Sequence, residues 1–127
     1  MLPARARLRT RAEFTLVVRT GRRAARGALV GHLTVPEPSA AGAAPARAGL
    51  IVGRTVGGAV VRNRVRRRLR HLLAPLLPTL PAGSALVVRA LPAAATRVSA
   101  DLSTDVQALL ARLGPERTSP APAEPYR

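Results

Sequence analysis

The sequence predicts an α+β fold, a two-layer sandwich in which a central sheet of about four strands packs against three helices. Three observations predict it. Apolar residues recur at helical spacing in three segments, short apolar or alternating segments typical of strands lie between them, and glycine or proline stands at most boundaries. The order is helix, strand, strand, helix, strand, helix, with a further short edge strand near residues 21–26. A chain of 127 residues suffices for one domain with a single core.

A first short helix is predicted over residues 11–20. Thr10 and Glu13 form the pattern T-x-x-E, in which the threonine oxygen and the glutamate satisfy free amides at a helix start. Apolar residues follow Phe14 at the spacing i, i+3 and i+4, and Gly21 is placed to end the helix.

Three strands are predicted from short apolar segments. Residues 28–35, ALVGHLTV, alternate between two distinguishable faces, and proline follows them. Residues 47–54, RAGLIVGR, are short and apolar enough for a central strand, and residues 84–91, SALVVRAL, form another strand closed by proline. Between the first two strands, residues 36–46 are rich in proline and alanine and are predicted to form a flexible loop.

The segment between the second and third of these strands, GGAVVRNRVRRRLRHLL from Gly57 to Leu73, is predicted to be an arginine-rich helix. Six of the nine residues 62–70 are arginine, and Val60 is an apolar residue on the charged side. The other large apolar residues share one helical face: Val61, Val65, Leu69, Leu72 and Leu73. Residues 39–100 contain ten arginines and no acid, so the compensating negative charge must come from outside the chain. Guanidinium groups match phosphate oxygens, which favours a polyphosphate partner.

A last amphipathic helix follows, with Ser99 as the predicted N-cap and Asp101 in the first turn, where the helix dipole favours an acid. Its apolar stripe consists of Leu102, Val106, Leu109, Leu110 and Leu113. Gly114 and a following proline end it, and residues 114–127 are predicted to be a disordered Pro-rich tail.

Composition excludes several functional classes. The net charge is +15 and all 21 basic residues are arginine, which indicates a polyanionic partner. The absence of cysteine excludes disulfides and zinc fingers, and no apolar run is long enough to span a membrane. With one Phe and one Tyr, the chain cannot build a multi-ring platform for single-stranded RNA, so recognition is expected to rest on charge and shape.

No catalytic or metal-ligating constellation is predicted. The six acids are scattered, and we interpret the one close pair, Asp101 and Asp105, as dipole compensation and solubility. His32, in the middle of a strand, is interpreted as structural, and His71 as a further polar group on the arginine-rich helix.

The stretch RTVGGAVVRNRVRRRLRHLL resembles the signature of the bacterial ribonuclease P protein subunit, with Arg62, Asn63 and Arg64 as its core. The resemblance extends over about residues 8–113, after a basic N-terminal arm of residues 1–7. It implies a fold like that of ribosomal protein S5 domain 2, with a left-handed βαβ crossover through the basic helix. Such a crossover departs from the usual right-handed rule.

The resemblance also implies a function. The chain would be the protein cofactor of a ribozyme that removes the 5′ leader from precursor tRNA. It would be a monomer that forms a 1:1 complex with the RNA in the cytoplasm. The RNA subunit would cleave with Mg²⁺, and the protein would bind no cofactor of its own. The positions implied to contact the catalytic RNA are Arg54, Arg62, Asn63, Arg64, Arg66, Arg67, Arg68 and Arg70. Those implied to line a cleft for the leader are Phe14, Val18, His32 and Arg89.

Two other hypotheses fit the charge. A structural protein of the ribosome or nucleoid would need only the arginines and would tolerate changes at Asn63. A protein-only nuclease would need convergent carboxylates, and the scattered acids argue against it.

Overall fold

The structure is a computed structural model, and it describes residue 2, residues 4–36 and residues 44–114. The helices are α1 (Arg11–Thr20), α2 (Ala59–Leu73) and α3 (Ser99–Leu113), and the strands are β1 (Arg22–Arg26), β2 (Leu29–Thr34), β3 (Arg47–Ile51) and β4 (Ala85–Ala90). Short 3-10 helices span Ala4–Ala6, Leu77–Thr79 and Pro92–Ala95. The α+β class, the three helices and the four strands are confirmed, including the short edge strand β1.

The four strands form one mixed sheet in the order β1-β2-β4-β3. The pairs β1–β2 and β2–β4 are antiparallel, whereas β3 and β4 are parallel and are joined through α2. The structure therefore contains a βαβ crossover through the arginine-rich helix. Its left hand and the S5 comparison stay predictions.

Alternation along the strands divides the sheet into two faces. Leu29 and Leu33 of β2 are buried in the main core with α2 and α3, while Val87 of β4 faces a smaller cluster under α1. The predicted stripe of α2 is confirmed, because Val65, Leu69 and Leu73 are fully buried and Val61 and Leu72 are half-buried. Val60 is 77% exposed, as expected. Every residue of the α3 stripe is buried: Leu102, Val106, Leu109, Leu110 and Leu113.

The prediction that residues 47–54 form a central strand is wrong, because β3 lies at the edge of the sheet that the described residues form. The N-terminal segment covers this edge. Arg7 bridges to Ala48 in parallel, and the Leu8 amide donates to the Ala48 carbonyl at 2.9 Å. Leu2, at the start of the predicted arm, is only 2% exposed. The strand is apolar because this segment shields it, a long-range contact that periodicity does not reveal.

The start of α1 is confirmed in detail, since Thr10 and Glu13 form the predicted capping box. Gly21 ends the helix, but in an extended rather than a left-handed conformation. A side chain there would meet the Val17 carbonyl oxygen at 2.5 Å and the Leu33 carbonyl oxygen at 2.9 Å. Glycine is therefore required because α1 runs directly into the sheet.

Two predictions about α3 are wrong. Val98 is the N-cap, so Ser99 is the first residue of the helix and makes no cap hydrogen bond. Asp105 is 2% exposed and accepts two hydrogen bonds from the Arg97 guanidinium, the shorter being 2.7 Å, and one from the Ala28 amide at 3.2 Å. Its pKa is lowered, mainly by the bond from Arg97. Asp105 ties α3 to the β1–β2 turn rather than compensating a dipole.

The C-terminal end of α3 is confirmed, with Gly114 in the left-handed conformation at φ 61°. Most of the predicted loop, residues 37–43, and of the predicted tail, residues 115–127, lies outside the described residues.

Candidate nucleic-acid interface

The outer face of α2 carries seven of the eight predicted RNA-binding residues, and Arg54 lies in the turn before the helix. Burial of the apolar stripe fixes the helix so that the remaining side chains point away from the sheet. Asn63, Arg64, Arg67 and Arg54 are exposed. The other four are half-buried: Arg62, Arg66, Arg68 and Arg70.

Within residues 4–36 and 44–114, no carboxylate pairs with an arginine of α2. The two salt bridges found there join Arg47 to Glu13 at 2.8 Å and Arg97 to Asp105 at 2.7 Å. The first turn of α2 contains no acid, and its N-cap, Gly58, offers no side-chain oxygen. This face is thus a concentrated positive charge that an external polyanion can neutralise.

The arginines on α2 are not equivalent. Arg66 donates to the Asn63 side-chain oxygen at 3.0 Å and to the Val52 carbonyl at 3.4 Å. Arg68 donates to the Arg97 carbonyl at 3.3 Å. Arg64 is exposed and makes no hydrogen bond to the described residues through its side chain. The surface therefore combines guanidinium groups held in place with others free to reorient.

A small crevice of about 90 Å³ lies where α2 meets the N-terminal segment, and three arginines contribute to its lining, Arg7, Arg66 and Arg70. Burial lowers the pKa of the Arg70 guanidinium, and repulsion by Arg7 and Arg66 lowers it further. The like charges in this crevice therefore repel one another, and an external anion bound there would relieve the repulsion.

A second basic surface is a groove of about 600 Å³ between α1 and the sheet. Its lining consists of Arg9, Arg11, Phe14, Thr15, Val18, Arg19, Ile51 and Arg89. The structure thus brings together three residues of the predicted cleft, Phe14, Val18 and Arg89. The apolar side chains are half-buried, and the four arginines are exposed around them.

Several residues of the groove were not predicted from the sequence. Arg9, Arg11, Arg19 and Ile51 were not predicted, although the helical spacing of Arg11 and Arg19, i and i+8, places them on one side of α1. Gly49 was not predicted either, although a side chain there would collide with the Phe14 ring. Glycine at this position lets the ring lie against β3.

His32 does not line the groove, although it was predicted for the cleft. It is 7% exposed on the α1 face of β2, opposite Arg23 on one neighbouring strand and Val87 on the other. Its Nδ1 is buried and finds no hydrogen-bond partner among the described residues. Burial lowers the pKa of this imidazole, and the charges of Arg23 and Arg89 act in the same direction. This placement fits the structural interpretation of His32.

Within the described part of the chain, no three His, Asp or Glu side chains come together in a way that could hold a metal ion. No helix there is long and apolar enough to cross a membrane.

Comparison with known proteins agrees with this architecture. A family model described as Ribonuclease P matches residues 2–114. The ribonuclease P protein component of Streptomyces bikiniensis is 52% identical over 117 residues, which cover 89% of this chain and 95% of that protein. The corresponding protein of a Nocardioides species is 51% identical over 118 residues, covering 93% and 99%.

Solved structures show the same fold at lower identity. The RNase P protein of Staphylococcus aureus superposes with a TM-score of 0.74 at 19% identity, covering 87% of this chain and 96% of that one. The RNase P protein of Thermotoga maritima gives a TM-score of 0.69 at 24% identity, covering 84% and 96%. Since the family match spans nearly all described residues and relatives of similar length share half of their residues, the chain belongs to the ribonuclease P protein family.

Proposed function

We propose that this chain is the protein cofactor of ribonuclease P, which binds the catalytic RNA through α2 and the 5′ leader of precursor tRNA in the groove beside α1. Removal of the leader gives the mature 5′ end of the tRNA. The observation that carries the proposal is the arginine face of α2, which has no carboxylate partner within the described residues.

The α2 face suits the phosphate backbone of a folded RNA. Its guanidinium groups stand on a rigid helix, and Arg54 extends the charge into the preceding turn. Such a surface reads the spacing of phosphates rather than bases, because phosphate contacts fix register and orientation without carrying sequence information. The affinity is therefore expected to depend steeply on salt.

The groove suits a single strand. Phe14 offers a ring on which a base can stack, and Val18 and Ile51 extend its apolar lining. The arginines around these side chains, Arg89 among them, are placed to hold the phosphates of the same strand. His32 supports the sheet behind the groove rather than contacting the leader.

We assign the cleavage step to the RNA subunit, whose bound Mg²⁺ would supply the activated water. The chain's own side chains bind and orient the substrate. Two of its carboxylates are already engaged, Glu13 with Arg47 and Asp105 with Arg97. We further propose a monomeric protein in a 1:1 complex with the RNA in the cytoplasm.

The test is cleavage of a precursor tRNA at low Mg²⁺ by a bacterial ribonuclease P RNA, with and without this protein. We expect strong stimulation, which the combined change of Arg62, Arg66 and Arg70 to alanine abolishes. The matched control removes the same charge elsewhere, by changing Arg5, Arg26 and Arg112 to alanine.

Other outcomes would support the alternatives. Tight binding to any structured RNA without stimulation would favour a structural protein of the ribosome or nucleoid. Cleavage that survives complete removal of RNA would favour a protein-only nuclease.

A further inference from the structure

Asn63 is the uncharged residue at the centre of the RNR core, and its side chain contacts a neighbouring arginine. Its Oδ1 accepts a hydrogen bond from Arg66 Nη1 at 3.0 Å, one helical turn further on. The other terminal nitrogen of Arg66 donates to the Val52 carbonyl at 3.4 Å. The guanidinium of Arg66 therefore lies between two neutral oxygens, one on α2 and one on the segment before it.

This arrangement opposes the local repulsion. Arg66 lines the crevice near Arg7 and Arg70, and these like charges would drive a free arginine side chain outward. The bond to Asn63 holds Arg66 in place at the base of the helix. A long side chain fixed before binding loses less conformational freedom when it meets a phosphate, so the complex is stronger.

The chemistry of an amide explains why this position is not an acid. An aspartate at position 63 would accept the same hydrogen bond, but its charge would neutralise Arg66 and repel phosphate. The neutral amide oxygen accepts the hydrogen bond without neutralising Arg66 or repelling phosphate. The remaining donors of the guanidinium stay available to an anion.

We propose that Asn63 is a positioning residue, which acts on RNA binding by holding the Arg66 guanidinium rather than by contacting the RNA itself. The proposal rests on the proposed function, because it concerns the same face of α2. It gives Asn63 a different role from the neighbouring arginines. The family resemblance implies direct contact with the catalytic RNA for all of them.

The test is a double-mutant cycle on the affinity for a bacterial ribonuclease P RNA. Asn63→Ala is expected to weaken binding about two- to tenfold, the range for losing the order of one flexible side chain. Asn63→Ala combined with Arg66→Ala should bind no more weakly than Arg66→Ala alone. Asn63→Asp should bind more weakly than Asn63→Ala and show a shallower salt dependence.

The matched control pairs Asn63→Ala with Arg67→Ala, because Arg67 lies on the same face and makes no hydrogen bond to Asn63. These two effects should add. Asn63 is exposed, so thermal unfolding should be unchanged in Asn63→Ala, which removes instability as an explanation.

Additive effects of Asn63→Ala and Arg66→Ala would overturn the proposal and indicate direct contact with RNA. A loss of affinity in Arg64→Ala and Arg67→Ala but not in Arg66→Ala would also overturn it and leave the proposed function intact. If none of the arginine variants changed binding, the proposed function itself would fail.

Discussion

The two basic surfaces differ in what surrounds their arginines. On α2, arginine side chains stand on one helix and the only large apolar residue exposed among them is Val60. In the groove, four arginines from α1, β4 and the segment before α1 surround half-buried apolar side chains, including the Phe14 ring. Charge alone characterises the first surface, whereas charge combined with an apolar floor characterises the second.

Under the proposed function, the two surfaces suit different forms of RNA. A convex helix without aromatic rings can follow phosphates of a folded RNA but cannot stack unpaired bases. A groove with a ring at its floor accommodates a single strand whose bases are exposed. The sequence assigns both surfaces the same positive charge, and only their shape and apolar content separate them.

The largest effect is expected when the support common to both surfaces is removed. Val65→Asp places a charge at a fully buried position, between α2 and the sheet. An unpaired buried charge costs more than about 4 kcal/mol, a large part of the ~5–15 kcal/mol that stabilises a typical domain. Circular dichroism should show that the variant is largely unfolded, and it should bind neither the catalytic RNA nor the leader of precursor tRNA. A folded Val65→Asp protein would mean that the buried face of α2 is misassigned.

Val60→Asp is the matched control, because it introduces the same charge on the same helix at a side chain that is 77% exposed. It should remain folded, with a change in unfolding free energy within about 0.5 kcal/mol. Binding to the catalytic RNA should weaken, whereas leader binding should be unaffected.

The next largest effect separates the two surfaces by their salt dependence. If about six arginines contact phosphates, log K for the catalytic RNA should fall against log salt with a slope of roughly −4 to −5. Changing Arg64 and Arg67 to alanine should reduce the slope by about 1.4–1.8 and the affinity by about two orders of magnitude near 0.1 M salt. Changing Arg9 and Arg89 instead, at equal loss of charge, should leave this slope intact. A nearly flat dependence for the unmodified protein would show that α2 is not the contact surface.

A smaller effect is expected at Phe14, and only in the presence of a leader. Phe14→Ala removes the ring from the groove, which should weaken binding of precursor tRNA to the holoenzyme by about 1–2 kcal/mol, roughly tenfold. Affinity for mature tRNA should not change, because it has no leader. The comparison of the two tRNAs within one variant also controls for any loss of stability. An equal loss for both tRNAs would place the leader outside the groove.

The surfaces also differ in how well the sequence predicts them. The face of α2 follows from spacing within a single helix, so its buried and exposed residues could be predicted from residues 57–73 alone. The groove needs α1, Ile51 at the end of β3 and Arg89 in β4 at one place, and no local pattern specifies that meeting. Phe14 and Val18 were found through the family resemblance, and Ile51 was not found at all.

The remaining errors have the same physical origin. The apolar composition of β3 led to the prediction of a central strand. The N-terminal segment shields this edge strand instead, and that contact joins residues distant in sequence. Asp105 carried a local signal, since it lies three residues after Leu102 within the buried stripe of α3. Its partner Arg97 precedes the helix, and the Ala28 amide belongs to a turn far away in the chain. Contacts between distant segments decide these positions.

The smallest effect concerns Glu13, which directly precedes the groove residue Phe14 on α1. Backbone hydrogen bonds from Thr10 and Arg9, together with Arg47, lower its pKa from 4.5 to about 2. Because the folded protein holds the proton less tightly than the unfolded chain, Glu13 stabilises α1 fully above pH 4.5 and loses this contribution as the pH falls towards 2. The protection of the α1 amides against hydrogen exchange, corrected for the intrinsic exchange rate at each pH, should therefore fall over this interval, while that of the α2 amides changes less. In Glu13→Gln the α1 amides should exchange faster already at pH 7, and their difference from the unmodified protein should shrink with acid. A difference that stays constant with pH would show that the carboxylate charge does not hold α1, and with it the groove, in place.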